Sequence, residues 1–433
     1  MPNTQVNRTV PPTIRAIDQV ALPTIESLTL DNGLRVKLLN SGTQDVMKLE
    51  LVVQAGRPFE QKRLASRTTI GLLKEGTTKR SSADLAELLD FYGASLSSPF
   101  SLDTGHLVLY SLTKHSEKLL PLFTEILTMP AFPEKELKAF VQRNQQRLKV
   151  DLSKEDIVAY RAISAYIFGS ETPYGYNSTA DMYAAIARED ILAHYQRNYL
   201  TDSSLLLVSG RVSDHFLRLM NQTLGQINLT SSPKMRGMTI SNAPPESLHL
   251  PHEEGLQSAI RIGKRLFSRQ HPDYPGMFVL NTILGGYFGS RLMANIREDK
   301  GYTYNIYSSL DPLKYDGYFY VGTEVGNAFV QPTIKEIYQE MNVLQQDLVD
   351  DEELDMVKNY LLGTFLMNLD GPFNAMDVYK SLVYNDLPSD YFEQLVDTVR
   401  YISAEKLRDL AQRHFQRESL WQVVVGSVAD EVK

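Results

Sequence analysis

Apolar and polar residues alternate between Ser27 and Asn40, on both sides of the dipeptide Asn32-Gly33. Asn-Gly suits the two positive φ angles of a type I′ turn, so this segment is predicted to form a β-hairpin. A further alternating segment, Met47–Ala55, predicts a strand. The next apolar residues have helical spacing, from Leu85 to Tyr92, and Gly93 is placed to end that helix in the left-handed conformation.

The same order of elements recurs in the second half of the chain. A strand predicted at Ser258–Phe267 precedes helical segments that end at Gly301, which corresponds in position to Gly93. Closing strands are predicted at Ser204–Ser209 and Leu420–Val425. We therefore predict an α+β fold of two homologous domains, each a mostly antiparallel sheet covered by helices.

Serine, proline and asparagine are concentrated between Thr230 and Glu246, which is typical of a linker. The chain is therefore predicted to consist of an N-terminal domain, residues 1–229, a linker, residues 230–246, and a C-terminal domain, residues 247–433. Duplicated units commonly face each other across a cleft, and such clefts are frequent ligand sites.

The composition excludes several kinds of site. The 433 residues include no cysteine, which rules out disulfides, iron–sulfur clusters and cysteine nucleophiles and leaves histidine and carboxylates as metal ligands. A formal net charge of −8 does not favour binding to nucleic acid or to an anionic membrane. No apolar run approaches the about 20 residues of a spanning helix, and residues 1–25 contain no signal-peptide core. The sequence therefore predicts a chain without a membrane span that is located in the cytoplasm.

No HExxH or HxxEH pattern occurs in the sequence. The histidines therefore provide only one candidate metal cluster. His249 and His252 precede two glutamates, but Pro251 disfavours a helix that would bring both imidazoles to one face. The start of a solvated strand is the better interpretation of this segment. An independent enzyme that binds a metal through these two histidines remains as an alternative.

Gly285, Gly286 and Gly289 precede a predicted helix, and their amides are candidates for a phosphate cradle. Neither the dinucleotide-binding GxGxxG pattern after a strand nor the P-loop pattern is present, and no GxSxG motif indicates a hydrolase. A tight passage between two helices explains these glycines equally well.

Two segments at corresponding places in the two halves carry a family resemblance. Residues 290–304, preceded by LGGYFG, resemble the second-domain signature of the pitrilysin/insulinase zinc peptidases. Residues 72–97, LLKEGTTKRSSADLAELLDFYGASLS, resemble the stretch that follows the HxxEH zinc helix of that family. The resemblance implies the insulinase and mitochondrial processing peptidase type of fold, and the length of a half-size subunit that pairs with another.

The chain departs from the family at the zinc motif itself. Counting back from Gly76 places Arg67 and Gly71 at the two histidine positions and Ile70 at the general-base glutamate. The third ligand of the family would fall within residues 145–148, where no carboxylate stands. A catalytic zinc needs three protein ligands, and arginine does not deprotonate to ligate a metal. The resemblance therefore implies no catalytic residue and no metal in this chain, with zinc bound by a partner subunit.

In the family, an arginine and a tyrosine spaced as Arg297 and Tyr304 reach from the second domain toward the substrate backbone near the zinc of the opposite catalytic domain. The resemblance thus implies that Arg297, Tyr304, Tyr302 and the Gly285, Gly286 and Gly289 loop contact a peptide substrate. A strand predicted at Tyr302–Leu310 would place both tyrosines on one face. The alternatives are a basic residue in the last turn of a helix and tyrosines packed in the core.

These features lead to two main hypotheses of function. In the first, the chain is a non-catalytic, substrate-binding subunit of a heterodimeric zinc metallopeptidase, and it completes the active site of a zinc-bearing homologous partner that cleaves peptides. In the second, it is a structural, peptidase-like scaffold subunit without catalytic duty.

Overall fold

In the computed structural model of the chain, the described residues are 9, 17, 19–235, 243–252 and 255–427. Residues 236–242 of the predicted linker and the two glutamates after His252 lie outside them. The strands within the described ranges are β1 Glu26–Thr29, β2 Arg35–Asn40, β3 Val46–Val53, β4 Ser95–Ser97, β5 Gly105–Leu112, β6 Leu205–Gly210, β7 Ser247–Leu250, β8 Gln257–Leu266, β9 Ile306–Pro312, β10 Gly317–Gly326 and β11 Trp421–Gly426.

The α-helices of the described ranges alternate with these strands in both halves of the chain. They are α1 Ala65–Leu72, α2 Ser82–Phe91, α3 Ser116–Thr128, α4 Glu134–Asp151, α5 Glu155–Phe168, α6 Ala180–Ala184, α7 Arg188–Asn198, α8 Asp214–Thr223, α9 Tyr274–Asn281, α10 Val330–Gln346, α11 Asp351–Asn368, α12 Gly371–Tyr384, α13 Tyr391–Tyr401 and α14 Ala404–His414. Two π-helical segments, Thr282–Gly286 and Met293–Asp299, lie between α9 and β9.

The strands form two sheets with one common topology. The first sheet has the order β1-β2-β6-β3-β5-β4, and the second has the order β7-β11-β8-β10-β9. Apart from β1, the orders correspond strand by strand. The parallel pair of the first sheet, β2 and β6, matches the parallel pair β7 and β11 of the second, while the other pairs are antiparallel. The predicted α+β fold of two homologous halves is confirmed.

The first hairpin and the two glycine helix ends were predictable from local sequence. Strands β1 and β2 pair as expected, but the turn is not type I′, because only Gly33 has a positive φ, of 88°. Asn32 instead uses its side-chain amide to donate hydrogen bonds to the carbonyls of Leu224 (2.9 Å) and Ile227 (2.8 Å). Gly93 and Gly301 have φ angles of 59° and 64°, the left-handed conformation in which helices commonly end.

Each half lends one helix to the sheet of the other half. Helix α5, from the first half, packs Ala159 and Ile163 against Ala259 and Val423 of the second sheet. Helix α12, from the second half, packs Met376 and Ala375 against Leu39, Leu205 and Leu207 of the first sheet. Both helices bury apolar surface across the junction, so the hydrophobic effect holds the two halves together.

A buried ionic cluster reinforces this junction. Glu50 on β3 is 1% exposed and lies 3.1 Å from Lys48 Nζ and 2.9 Å from Nζ of Lys380, a residue of α12. Asp377 contacts both lysines at 2.7 Å, and His106 is 2.8 Å from Glu50. Burial alone would raise the pKa of Glu50, but the hydrogen bond from His106 and the two lysine charges lower it to about 2.

Candidate functional site

Core side chains pack closely around the helix that carries the predicted zinc-motif positions. Helix α1 contains Arg67, Ile70 and Gly71, and Ile70 is buried in the core of the first half. A Cβ atom at position 71 would lie 2.6 Å from Cε2 of Phe140, which projects from α4. At this distance a larger side chain such as an imidazole would require the Phe140 ring to move. The Arg67 guanidinium lies outside this contact, 5.7 Å from the centre of the Phe100 ring.

The chemistry of these positions does not fit zinc. On α4, the side-chain amide of Gln145 donates a hydrogen bond to the carbonyl of Ala180 at 3.0 Å, at one of the positions where a third ligand would stand. A guanidinium, an aliphatic chain, a glycine and carboxamides are not a zinc donor set. Within the part of the chain that the structure describes, no three His, Asp or Glu side chains come together as a metal site. That the chain binds no metal stays a prediction.

The alternative histidine pair points in two directions. His249 lies on β7, and its Nε2 donates to the carbonyl of Gly426 at 2.7 Å. His252 Nε2 donates to the carbonyl of Leu152 at 3.1 Å, and its Nδ1 is 3.4 Å from Glu155. The two imidazoles therefore stabilise different parts of the backbone and do not converge on a common point.

The glycine-rich segment forms the end of the first π-helical segment, Thr282–Gly286, and the turn after it. Gly285 is buried, and a Cβ there would lie 2.5 Å from the backbone nitrogen of Ser308 on β9. This glycine therefore permits the helix to approach the edge strand closely. Gly286 and Gly289 are exposed, and Gly289 allows the Tyr287 ring to fold against the turn. A substrate contact by any of the three glycines stays a prediction.

The predicted strand at Tyr302–Leu310 begins only at Ile306, so the expectation that the two tyrosines share a strand face is wrong. Tyr302 is partly buried and stacks on Phe329, with ring centres 4.8 Å apart. Tyr304 is 85% exposed. One alternative, packing in the core, therefore holds in part for the first tyrosine and not for the second.

Two threonine hydroxyls explain why the chain turns away from the strand between these tyrosines. Thr303 Oγ1 donates to the carbonyl of Glu324 at 2.7 Å and accepts from the amide of Asn305 at 3.2 Å. Thr323, which is buried on β10, donates to the carbonyl of Asn305 at 2.9 Å. These side-chain bonds replace the strand ladder locally and direct Tyr304 outward.

Arg297 is the cationic centre of an exposed aromatic cluster. Its Cζ lies 5.0 Å from the ring centre of Tyr304 and 4.8 Å from the ring centre of Phe288, which is 61% exposed. Among the described residues the Arg297 side chain has no salt bridge and no hydrogen-bond acceptor, so its N–H donors face no protein group. Sequence reasoning missed Phe288, although an aromatic residue inside the glycine-rich turn was a signal for it.

A cleft of about 390 Å³ adjoins Tyr304 at the junction of the two halves. Buried Arg261 on β8 borders it, together with Asp156 of α5 and exposed Glu324. Burial first, and then the charge of Asp156, raise the pKa of Glu324. The cleft and the aromatic cluster together provide donors, acceptors and ring faces, the groups that bind an extended peptide backbone.

Comparison with known proteins identifies the fold. Residues 185–361 match the family model of the peptidase M16 inactive domain. This part of the chain is similar to the M16 peptidase family. The resemblance to the pitrilysin/insulinase zinc peptidases is thus confirmed, and the matched range includes both Arg297 and Tyr304.

Curated relatives match most of the chain at low identity. The uncharacterized zinc protease YmxG of Bacillus subtilis is 22% identical over 91% of this chain and 96% of its own length. The non-peptidase homolog YmxG of Helicobacter pylori is also 22% identical, over 82% of this chain and 83% of its own length. The crystal structure of a peptidase M16 inactive domain from Pseudomonas fluorescens has a TM-score of 0.86 at 20% identity, covering 94% of this chain and 99% of that one. Of the helices in the described ranges, none combines the length and apolar character needed to cross a membrane.

Proposed function

We propose that this chain is a non-catalytic, substrate-binding subunit of a heterodimeric zinc metallopeptidase, and that it completes the active site of a zinc-bearing homologous partner. The observation that carries the proposal is Arg297, whose guanidinium is held against two exposed rings with its hydrogen-bond donors unused. The zinc-motif positions of the same chain offer no ligand set, which supports a division of labour between two subunits.

The chemistry of the proposed contact follows from the side chains. A guanidinium donates two directed hydrogen bonds to carbonyl oxygens, and a phenol donates one to an oxyanion that develops during peptide cleavage. Arg297 would hold the peptide backbone, and exposed Tyr304 would donate toward the reacting carbonyl. Zinc bound by the partner would supply the water activation. The name of the Helicobacter pylori relative, a non-peptidase homolog, supports a chain that is inactive alone, and a cytoplasmic location remains a prediction of the sequence.

The test is reconstitution with a homologue that has an intact HxxEH motif. Neither chain alone should cleave an internally quenched peptide library at the rate of the mixture. In the mixture, Arg297→Ala should lower kcat/KM about 10- to 100-fold, since hydrogen bonds to a charged donor are lost, and Tyr304→Phe about 2- to 10-fold. The matched control is Arg218→Ala, which removes an exposed arginine of α8. Values of kcat/KM that stay within twofold for both site variants would reject the assigned roles.

A structural scaffold is the second candidate, and one observation favours it. Helix α11 exposes Met356 (50%), Tyr360 (43%) and Met367 (73%) at helical spacing, and exposed apolar faces often bind partner proteins. In this case Met367→Glu would dissociate the complex in analytical ultracentrifugation, whereas Arg297→Ala would change neither assembly nor activity.

A further inference from the structure

Phe288 is exposed beyond what a phenylalanine needs for folding. Its side chain is 61% exposed, so burial in the core does not account for it. Within the described part of the chain, its one aromatic or cationic contact is the guanidinium of Arg297, at 4.8 Å. The Phe288 ring therefore contacts the Arg297 guanidinium and contributes little to the core.

The turn that carries Phe288 is anchored on both sides. The Tyr287 ring packs on the ring of Tyr360 in α11, with centres 4.8 Å apart. The amide of Ser290 donates to the carbonyl of Tyr287 at 3.2 Å, which closes the turn. Because its neighbours are fixed, Phe288 has a defined place beside Arg297.

Among the described residues, the contacts of the Arg297 guanidinium with the two rings are not accompanied by a hydrogen bond or an ion pair. Arg291, less than two helical turns earlier, shows the usual alternative, since it donates to both carboxylate oxygens of Glu353 at 2.9 and 2.7 Å. A carboxylate partner of that kind consumes the donors of a guanidinium. Ring contacts hold the flat face of the group and leave its N–H edge available for a ligand.

The rings of Phe288 and Tyr304 each contact the Arg297 guanidinium. Both ring centres lie within 5.0 Å of Arg297 Cζ, yet no ring contact joins Phe288 to Tyr304 in the described ranges. The rings therefore make two separate contacts with the arginine. An arginine side chain has many rotamers, and a ligand that binds it must otherwise bear the entropic cost of ordering them.

We propose that Phe288 is a positioning residue, which holds the guanidinium plane of Arg297 so that its N–H edge meets the carbonyl oxygens of a bound peptide. This inference rests on the proposed function, because it assigns to Phe288 an effect that passes through Arg297. It also predicts that the effect appears in peptide binding more than in the chemical step.

The experiment uses the reconstituted complex and the same quenched peptide library. Phe288→Ala should raise KM about two- to fivefold with kcat nearly unchanged, the size expected for a solvent-exposed cation–π contact. Phe288→Tyr should restore KM, because it keeps the ring face. In the Arg297→Ala background, Phe288→Ala should cause no further loss. Phe91→Ala is the matched control, since Phe91 of α2 is a 78% exposed phenylalanine whose ring contacts Tyr92 and not Arg297.

The outcomes distinguish the positioning role of Phe288 from the proposed function of the chain. A normal KM for Phe288→Ala, or an equal loss with and without Arg297, overturns the positioning role while the proposed function stands. A loss that Phe288→Tyr does not restore also overturns it. Wild-type activity of Arg297→Ala overturns the inference, and wild-type activity of both Arg297→Ala and Tyr304→Phe rejects the proposed function itself. Thermal unfolding of each variant establishes that the chains compared are folded.

Discussion

The two regions that the family resemblance predicts to correspond to active-site parts of zinc peptidases differ in how their side chains are packed. Around α1 the positions are filled, because Phe140 packs against Gly71 and Ile70 is buried. Around Arg297 the opposite holds, since two exposed aromatic rings flank a partly buried guanidinium that has no acidic partner among the described residues. Packing makes the first region part of the core. The second region keeps its interactions unsatisfied, which is the arrangement expected of a surface that binds a ligand.

The largest effect is expected in a third region, where charges are paired and buried. The pKa of Glu50 is about 2 in the folded chain, against an ordinary 4.5. A lowered pKa contributes stability that is present above the ordinary value and is lost as the pH falls toward 2. The expected loss is about 3 kcal/mol in the free energy of unfolding, measured by urea denaturation at pH 6 and pH 2.5.

The control for this titration is Glu50→Gln, which removes the titrating group and should flatten that part of the pH profile. It should lower stability at pH 6, since Lys48 and Lys380 lose a buried partner. If the unfolding free energy of the wild-type chain changes with pH no more than that of Glu50→Gln, these charges do not stabilise the junction.

The next effect compares one arginine from each region. Arg297→Ala should lower kcat/KM of the reconstituted peptidase. The corresponding loss of transition-state stabilisation is about 1.5–3 kcal/mol, the range for a hydrogen bond with a charged group. Arg67→Ala should leave kcat/KM within twofold, because that guanidinium lies beside Phe100 on the filled helix. Equal losses for the two variants would erase the contrast between the regions.

The filled helix can be examined by adding a single carbon. Gly71→Ala places a Cβ 2.6 Å from the Phe140 ring and should destabilise the chain by about 1–3 kcal/mol, as overpacking does. Gly363→Ala is a matched glycine inside α11 with its nearest neighbour at 3.9 Å, and it should stabilise the chain by up to about 1 kcal/mol. Chemical denaturation compares the two, and the same sign for both would contradict the packing argument.

The smallest effect concerns the support of Tyr304. Thr323→Val removes the hydroxyl that donates to the carbonyl of Asn305 and should cost about 0.5–1.5 kcal/mol of stability. It should also lower kcat/KM of the complex less than Tyr304→Phe does. The control is Thr398→Val, whose hydroxyl donates only within its own helix, to Gln394. A larger loss for the control would mean that the Thr323 bond does not hold the turn.

Much of this architecture was accessible from the sequence because it depends on neighbours a few residues apart. The β1–β2 hairpin around Gly33 and the helix ends at Gly93 and Gly301 follow from glycine's access to positive φ. The wrong predictions arose where distant groups intervened. The side-chain amide of Asn32 donates to carbonyls some 190 residues later in the chain. Hydrogen bonds of the Thr303 and Thr323 hydroxyls replace strand pairing around Tyr304, so β9 begins only at Ile306.

The sequence by itself determined the two-part α+β repeat and the family resemblance, since these are properties of residue identity and order. Through that resemblance it predicts that Arg67, Ile70 and Gly71 stand at the zinc-motif positions. Only the tertiary structure decided that α5 and α12 cover the opposite sheets, that Phe140 occupies the space beside Gly71, and that Phe288 stands against Arg297. Those contacts depend on shape complementarity between elements that are remote along the chain, or on the path of an irregular turn, and local sequence patterns carry neither.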